Sequence, residues 1–250
     1  MSGSAPRTPW LLGLARRYVR RRLARGLDGL RAGGVEEARR AAAAGPVILA
    51  ANHVSWWDPF LVVALDEALG TEGYALMDAG NLAALPYFAR LGALPLDRRS
   101  PARLRAGLRA AAELLDRPRR AVWMFPQGRL RPAHLRPLGV HPGIALLARL
   151  APGAAVVPVA VQYAFGEHAA PAALARFGDA IPNAAAATHE GAARLERALE
   201  EELGKIDASL AGGAPPLPVL VASRLRRPDR GLGSRVLGRL RARREGGGRG

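Results

Sequence analysis

Cysteine is missing from all 250 residues. That absence excludes disulfides, thiolate nucleophiles and thiolate zinc sites, and redox usage says nothing about compartment. Lysine is nearly missing too: Lys205 is the only one, and every other basic side chain is arginine. No run of about 18 apolar residues is free of charges or turn formers, so no membrane span is expected. The longest candidate, residues 150–161, is broken by Pro152, Gly153 and Pro158. The chain does not open with a cationic, then apolar, then small-residue layout, so no cleaved signal peptide is expected. Aromatic residues are 5% of the chain and do not interleave with basic ones. With no recognition motif either, no specific nucleic-acid partner is expected.

What is present is apolar content of 49%, enough for a real core in one sizeable α/β domain or two small ones. The net charge of +16 is large. It should draw anionic partners such as phosphates, acidic proteins or an anionic bilayer.

Residues 8–30 read as a helix, with Leu12, Ala15, Val19, Leu23, Leu27 and Leu30 at steps of three and four and arginines around them. Two readings fit. In one, the helix lies in the headgroup plane of a membrane, with arginines on phosphates, leucines in the acyl boundary, and Trp10 and Tyr18 at the interface. In the other, it packs its leucines on the domain. From Gly45 onward apolar runs alternate with helical patterns. Strands are expected at 47–51, 74–78, 93–96, 121–125, 155–162 and 173–177, and helices at 59–69, 103–115, 143–150 and 192–210. Such alternation predicts an α/β fold with a mixed, largely parallel sheet flanked by helices. The division that follows is a basic amphipathic helix at 1–35, a domain at 36–222, and a flexible basic tail at 223–250, helical near 234–242.

The chemistry is concentrated in Asn52-His53-Val54-Ser55-Trp56-Trp57-Asp58, directly behind the apolar run at 47–51. On one continuous helix His53 and Asp58 would point about 140° apart and could not cooperate. Pro59 also disfavours helical backbone at Asp58. A strand ending near Ala51, a turn carrying His53 and a helix starting at Asp58 let the carboxylate fold back onto the imidazole. That is a base with its orienting partner at the exposed end of a sheet.

Together with later motifs, this stretch resembles the glycerolipid acyltransferases, the lysophosphatidic-acid-acyltransferase-like superfamily. Asn52-His53-x-Ser55-x-x-Asp58 is similar to the family's first block, and Gly92-Ala93-Leu94-Pro95-Leu96-Asp97-Arg98 to its second. Phe125-Pro126-Gln127-Gly128 resembles the third, Val156-Val157-Pro158-Val159-Ala160 the fourth, and Arg176-Phe177-Gly178-Asp179-Ala180-Ile181 the segment that often follows. Four blocks in order are far more specific than any one of them. The third departs from the family's Phe-Pro-Glu-Gly-Thr-Arg-Ser: Gln127 replaces the glutamate, Arg129 the threonine and Leu130 the arginine, with Arg131 one place later. In the family this block lies against the acceptor.

The resemblance implies transfer of a fatty acyl group from acyl-CoA or acyl-carrier protein to a hydroxyl of a lysophospholipid or other lipid, on the cytoplasmic face of a membrane. No cofactor beyond that co-substrate is implied. A neutral imidazole, with an ordinary pKa of about 6.5, suits removal of the hydroxyl proton at neutral pH. His53 is the expected base, and Asp58 holds its tautomer and stabilises the imidazolium; the plainer alternative for Asp58 is a helix N-cap. Expected substrate contacts are Asn52, Ser55, Arg98, Gln127, Gly128 and Arg129. Within that set Asn52 ties down the turn, Ser55 bonds locally, and Gly128 serves a tight turn. Arg98 holds a phosphate by its planar fork. Backbone amides of the 125–128 turn are candidate oxyanion donors. Trp56 and Trp57 fit either core or acyl contacts. His134, His141, His168 and His189 have no ligand spacing, so no metal is expected. Two alternatives stay open because of Gln127: acylation of a glycolipid or isoprenoid alcohol, and a membrane-surface relative that has lost catalysis.

Overall fold

The computed structural model describes residues 8–166 and 168–225. In chain order the elements are α1 (Pro9–Gly26), β1 (Leu30–Gly33), α2 (Val35–Ala44), β2 (Val47–Ala51), α3 (Asp58–Leu69), β3 (Glu72–Asp78) and α4 (Ala79–Ala84). A 3-10 turn at Pro86–Leu91 leads to β4 (Ala93–Leu96), α5 (Pro101–Glu113), β5 (Arg120–Met124) and α6 (Gly143–Leu150). Then come β6 (Ala155–Ala164), β7 (Ala172–Phe177), α7 (Asn183–Ala186), α8 (Gly191–Leu210) and β8 (Val219–Val221).

The eight strands form one sheet in the order β4-β3-β5-β2-β6-β7-β1-β8. The first five in that order run parallel. β7 turns antiparallel to β6, β1 lies parallel to β7, and β8 closes the edge antiparallel to β1. This is the mixed, largely parallel sheet expected. β2 shows why the strands were legible. All five of its residues are buried, with Ile48 and Ala50 in the apolar cluster on one face and Val47, Leu49 and Ala51 in the cluster on the other. A strand covered on both faces reads as an unbroken apolar run. One face is covered by α1, α2 and α3 through Leu23, Ala38, Ala42, Leu61 and Leu65; the other by α5, α6 and α8 through Leu108, Ile144, Leu147, Leu195 and Leu199. Each such leucine contributes about 2 kcal/mol by burial.

The N-terminal reading needs correction. α1 stops at Gly26, and residues 30–33 form a strand paired with β7. The helix ends where Leu27 becomes extended (φ −126°, ψ 158°), and Gly29, with φ of 84°, then turns the chain into the strand. Val19, Leu23, Leu27 and Leu30 are buried in the domain, so this part of the apolar stripe packs inward. The large apolar side chains that α1 leaves exposed are Trp10, Leu14 and Tyr18. Among the described residues no helix is long and apolar enough to cross a membrane. Of the expected basic tail, residues 226–250, and the helix near 234–242 with them, lie outside the described residues.

Candidate active site

The carboxyl ends of the five parallel strands open onto one rim, where ligands of open α/β sheets bind. β2 delivers the turn with His53, β5 the Phe125–Gly128 turn, β4 leads to Asp97 and Arg98, β3 ends at Asp78, and β6 carries Tyr163. Five segments distant in sequence thus converge because their strands are neighbours.

His53 and Asp58 meet as expected. Nδ1 of His53 lies 2.7 Å from Oδ2 of Asp58. The same oxygen accepts from the backbone N–H groups of Val54 (2.8 Å) and Ser55 (3.0 Å). An oxygen that already accepts two N–H bonds needs a third donor from the ring, so the hydrogen of a neutral imidazole sits on Nδ1 and Nε2 carries the lone pair. Among the described residues Nε2 has no protein partner. Asp58 is 1% exposed, whereas the His53 side chain keeps 24% of its surface open. The carboxylate is locked inside and the imidazole faces out. Asp58 opens α3 with Pro59 in its first turn, yet its side chain reaches back to the preceding turn and makes no cap on its own helix. The N-cap alternative is therefore set aside.

Two supports were not read from the sequence. The phenol of Tyr163 donates to Oδ1 of Asp58 at 2.8 Å, completing four bonds to the carboxylate. Burial, then the charge of Asp58 and the hydrogen bond to it, push the Tyr163 pKa far up, so the hydroxyl stays a donor at any working pH. Phe125 stacks on the imidazole with ring centroids 4.3 Å apart and an interplanar angle of 29°. The only sequence signal for Tyr163 is an aromatic with a polar tip at the end of an otherwise apolar strand.

The expected substrate contacts divide. Asn52 is fully buried and clamps β6 from both ends of its amide, Nδ2 to Val161 O at 2.9 Å and Oδ1 from Val161 N at 2.7 Å. That leaves it to tie down the turn, not to meet a ligand. Ser55 Oγ accepts from Trp57 N at 3.2 Å, a local turn bond. Gln127 is 2% exposed and spends its amide on the protein main chain, so direct contact with an acceptor is corrected to an internal role. Gly128 has φ of 66°, and a Cβ there would collide with the Arg98 guanidinium. Its N–H is taken by Phe125 O at 3.0 Å, which removes that amide from oxyanion duty.

Arg98 and Arg99 separate clearly. Arg99 is held by both oxygens of Asp97, whose carboxyl is driven well below the usual range by those bonds first and by Arg103. Arg98 turns the other way, donating Nη1 to Gly128 O at 2.7 Å, with Nη2 3.8 Å from Asp78. It borders a cleft lined by Asp78, Gly80, Asp97 and Arg99, and half of its side chain is exposed. Arg129 is exposed, with no partner among the described residues. Arg131 N–H bonds His53 O at 2.8 Å.

An imidazole–carboxylate pair thus stands at the strand ends of a mixed α/β sheet, joined through the 125–131 segment to an arginine on a cleft. The Acyltransferase family model matches residues 33–162, more than half of the chain. The protein belongs to that acyltransferase family. Among solved structures, the fold is similar to that of the 1-acyl-sn-glycerophosphate (LPA) acyltransferase PlsC from Thermotoga maritima. The two share 15% identity and a TM-score of 0.59, over 80% of this chain and 81% of that one. A comparison with curated proteins found no match.

Proposed function

We propose that this acyltransferase moves a fatty acyl group from acyl-CoA or acyl-carrier protein to the hydroxyl of a lysophospholipid or similar lipid at a membrane surface. The observation that carries the reading is the imidazole itself: Nδ1 is fixed by a buried carboxylate while Nε2 stands free on the open side. The acceptor hydroxyl gives its proton to Nε2 as its oxygen attacks the thioester carbonyl. The tetrahedral intermediate then expels the thiolate, which takes that proton from Nε2–H and leaves as the thiol. Asp58 stabilises the imidazolium between the two steps. The remaining N–H groups of Arg98 suit phosphate oxygens on the acceptor or on the donor's pantetheine arm.

The apolar ridge beside the base supports a lipid interface. Tyr18 of α1 lies 6.4 Å from Phe60, and Phe60 lies 5.2 Å from the exposed Trp56, three residues after His53. Arg22 sits over Trp57 at 4.9 Å. An aromatic ridge flanked by arginines suits the headgroup layer of an anionic bilayer, which on this reading is the cytoplasmic face. Thiol release from acyl-CoA or acyl-carrier protein, with lysophosphatidate or a membrane lipid extract as acceptor, tests the proposal. His53→Ala should cut turnover by about 100-fold or more with the melting temperature unchanged. Equal turnover in variant and wild type would overturn it. No thioester consumption by the wild type with any acceptor would favour a relative that has lost catalysis.

A further inference from the structure

The third block departs from the resembled pattern at Gln127, and the departure has a local structural reason. Oε1 of Gln127 accepts the backbone N–H of His53 at 2.6 Å, and Nε2 donates to the carbonyl of Leu138 at 2.8 Å. Leu138 is fully buried, and the next residues are pinned in turn, with Gly139 N–H on Glu196 at 2.7 Å. The carbonyl of His53 is held by Arg131 N–H at 2.8 Å. Both main-chain groups of the base are thus fixed by the segment that follows β5. The N–H groups of residues 53, 54 and 55 are all spent, one on Gln127 and two on Asp58.

Such a clasp needs one acceptor and one donor on the same buried side chain. An amide has both; a carboxylate has only acceptors and would face the Leu138 carbonyl with unrelieved repulsion. We infer that Gln127 is a positioning residue for His53 whose amide joins the catalytic turn to the 128–138 loop, and that it acts on turnover without touching the acceptor. Acceptor choice then falls to exposed groups such as Arg98 and Arg129.

Gln127→Glu makes the inference testable through pH. A protonated carboxyl reproduces the clasp, its O–H donating to Leu138 and its carbonyl accepting from His53. An ionised one does not. Burial and the facing Leu138 carbonyl raise the carboxyl's folded pKa above its unfolded value of about 4.3. The charged neighbours are Arg98, already bonded to Gly128 O, Arg131 beside Gly139, and Glu196 on Gly139 N–H. Stability is then complete below the unfolded pKa and lost as pH rises through the folded one. The variant-to-wild-type ratio of kcat should rise about tenfold or more between about pH 8 and about pH 5.5, with acceptor KM within about threefold of wild type. The gap in melting temperature should widen over the same interval as pH rises. Gln127→Met, similar in size but with neither bond, should lose kcat at every pH.

A raised acceptor KM with preserved kcat would overturn the inference, as would a ratio flat in pH or a fully active methionine variant. The kinetic arm rests on the proposed acyl transfer; the melting arm does not. If the wild type transfers no acyl group, the proposed function fails while the melting temperatures still decide the clasp, and a pH-independent gap rejects it.

Discussion

Replacing Asp58 by asparagine separates the charge of the buried carboxylate from its geometry. Oδ2 receives two backbone N–H groups besides the imidazole, and a backbone N–H cannot accept. In Asp58→Asn the amide oxygen must therefore take the Oδ2 position, and the NH2 must turn toward Tyr163, whose hydroxyl can rotate to accept. Nδ1 of His53 still finds an acceptor, so the tautomer survives and only the charge is lost. Two unit charges about 4 Å apart at an effective dielectric of about 20 attract by about 4 kcal/mol. Because a quarter of the His53 side chain is open to water, about 3 kcal/mol is the better figure. That corresponds to a loss of roughly 100-fold in kcat. Steady-state thioester release at saturating acceptor reads it directly, with KM expected to move little. A variant that keeps more than half of wild-type kcat would refute the reasoning, because the carboxylate would then be structural only. A loss confined to KM would refute it equally.

Tyr163→Phe removes one charge-assisted bond of the four on Asp58 while keeping the ring. Turnover should fall about five- to tenfold, checked by initial rates across pH beside a melting curve close to wild type. On α1, Tyr18→Glu places a negative charge in the ridge beside Phe60. It should weaken flotation with anionic vesicles by about tenfold and leave hydrolysis or transfer of soluble short-chain thioesters unchanged.

The central strands were readable because each is a short apolar run bounded by turn formers, and β2 is buried on both faces. The approach of His53 and Asp58 was readable from Pro59 and the strand-to-helix switch across a few residues. Two of the misses share a cause: partners distant in the chain. Tyr163 lies 105 positions from Asp58, and only the β2–β6 register brings them together. Gln127 looks like a ligand residue by type, and nothing local reveals that both ends of its amide meet buried main chain. The end of α1 was misplaced because Leu27 and Leu30 extend the helical spacing although their backbone leaves it, with Leu30 already pairing in β1. β1, α2 and β8 are short or alanine-rich, and their periodicity is too weak to register.

The amide of Asn52 grips Val161, and two positions further along the same strand Tyr163 reaches Asp58. A slip of β6 by one residue would break that grip and turn the phenol to the opposite face of the sheet. Correct strand registry and chemical competence are thereby one event. A misassembled copy would lose the Asn52 grip and the Tyr163 bond to Asp58 together, leaving the buried carboxylate one donor short.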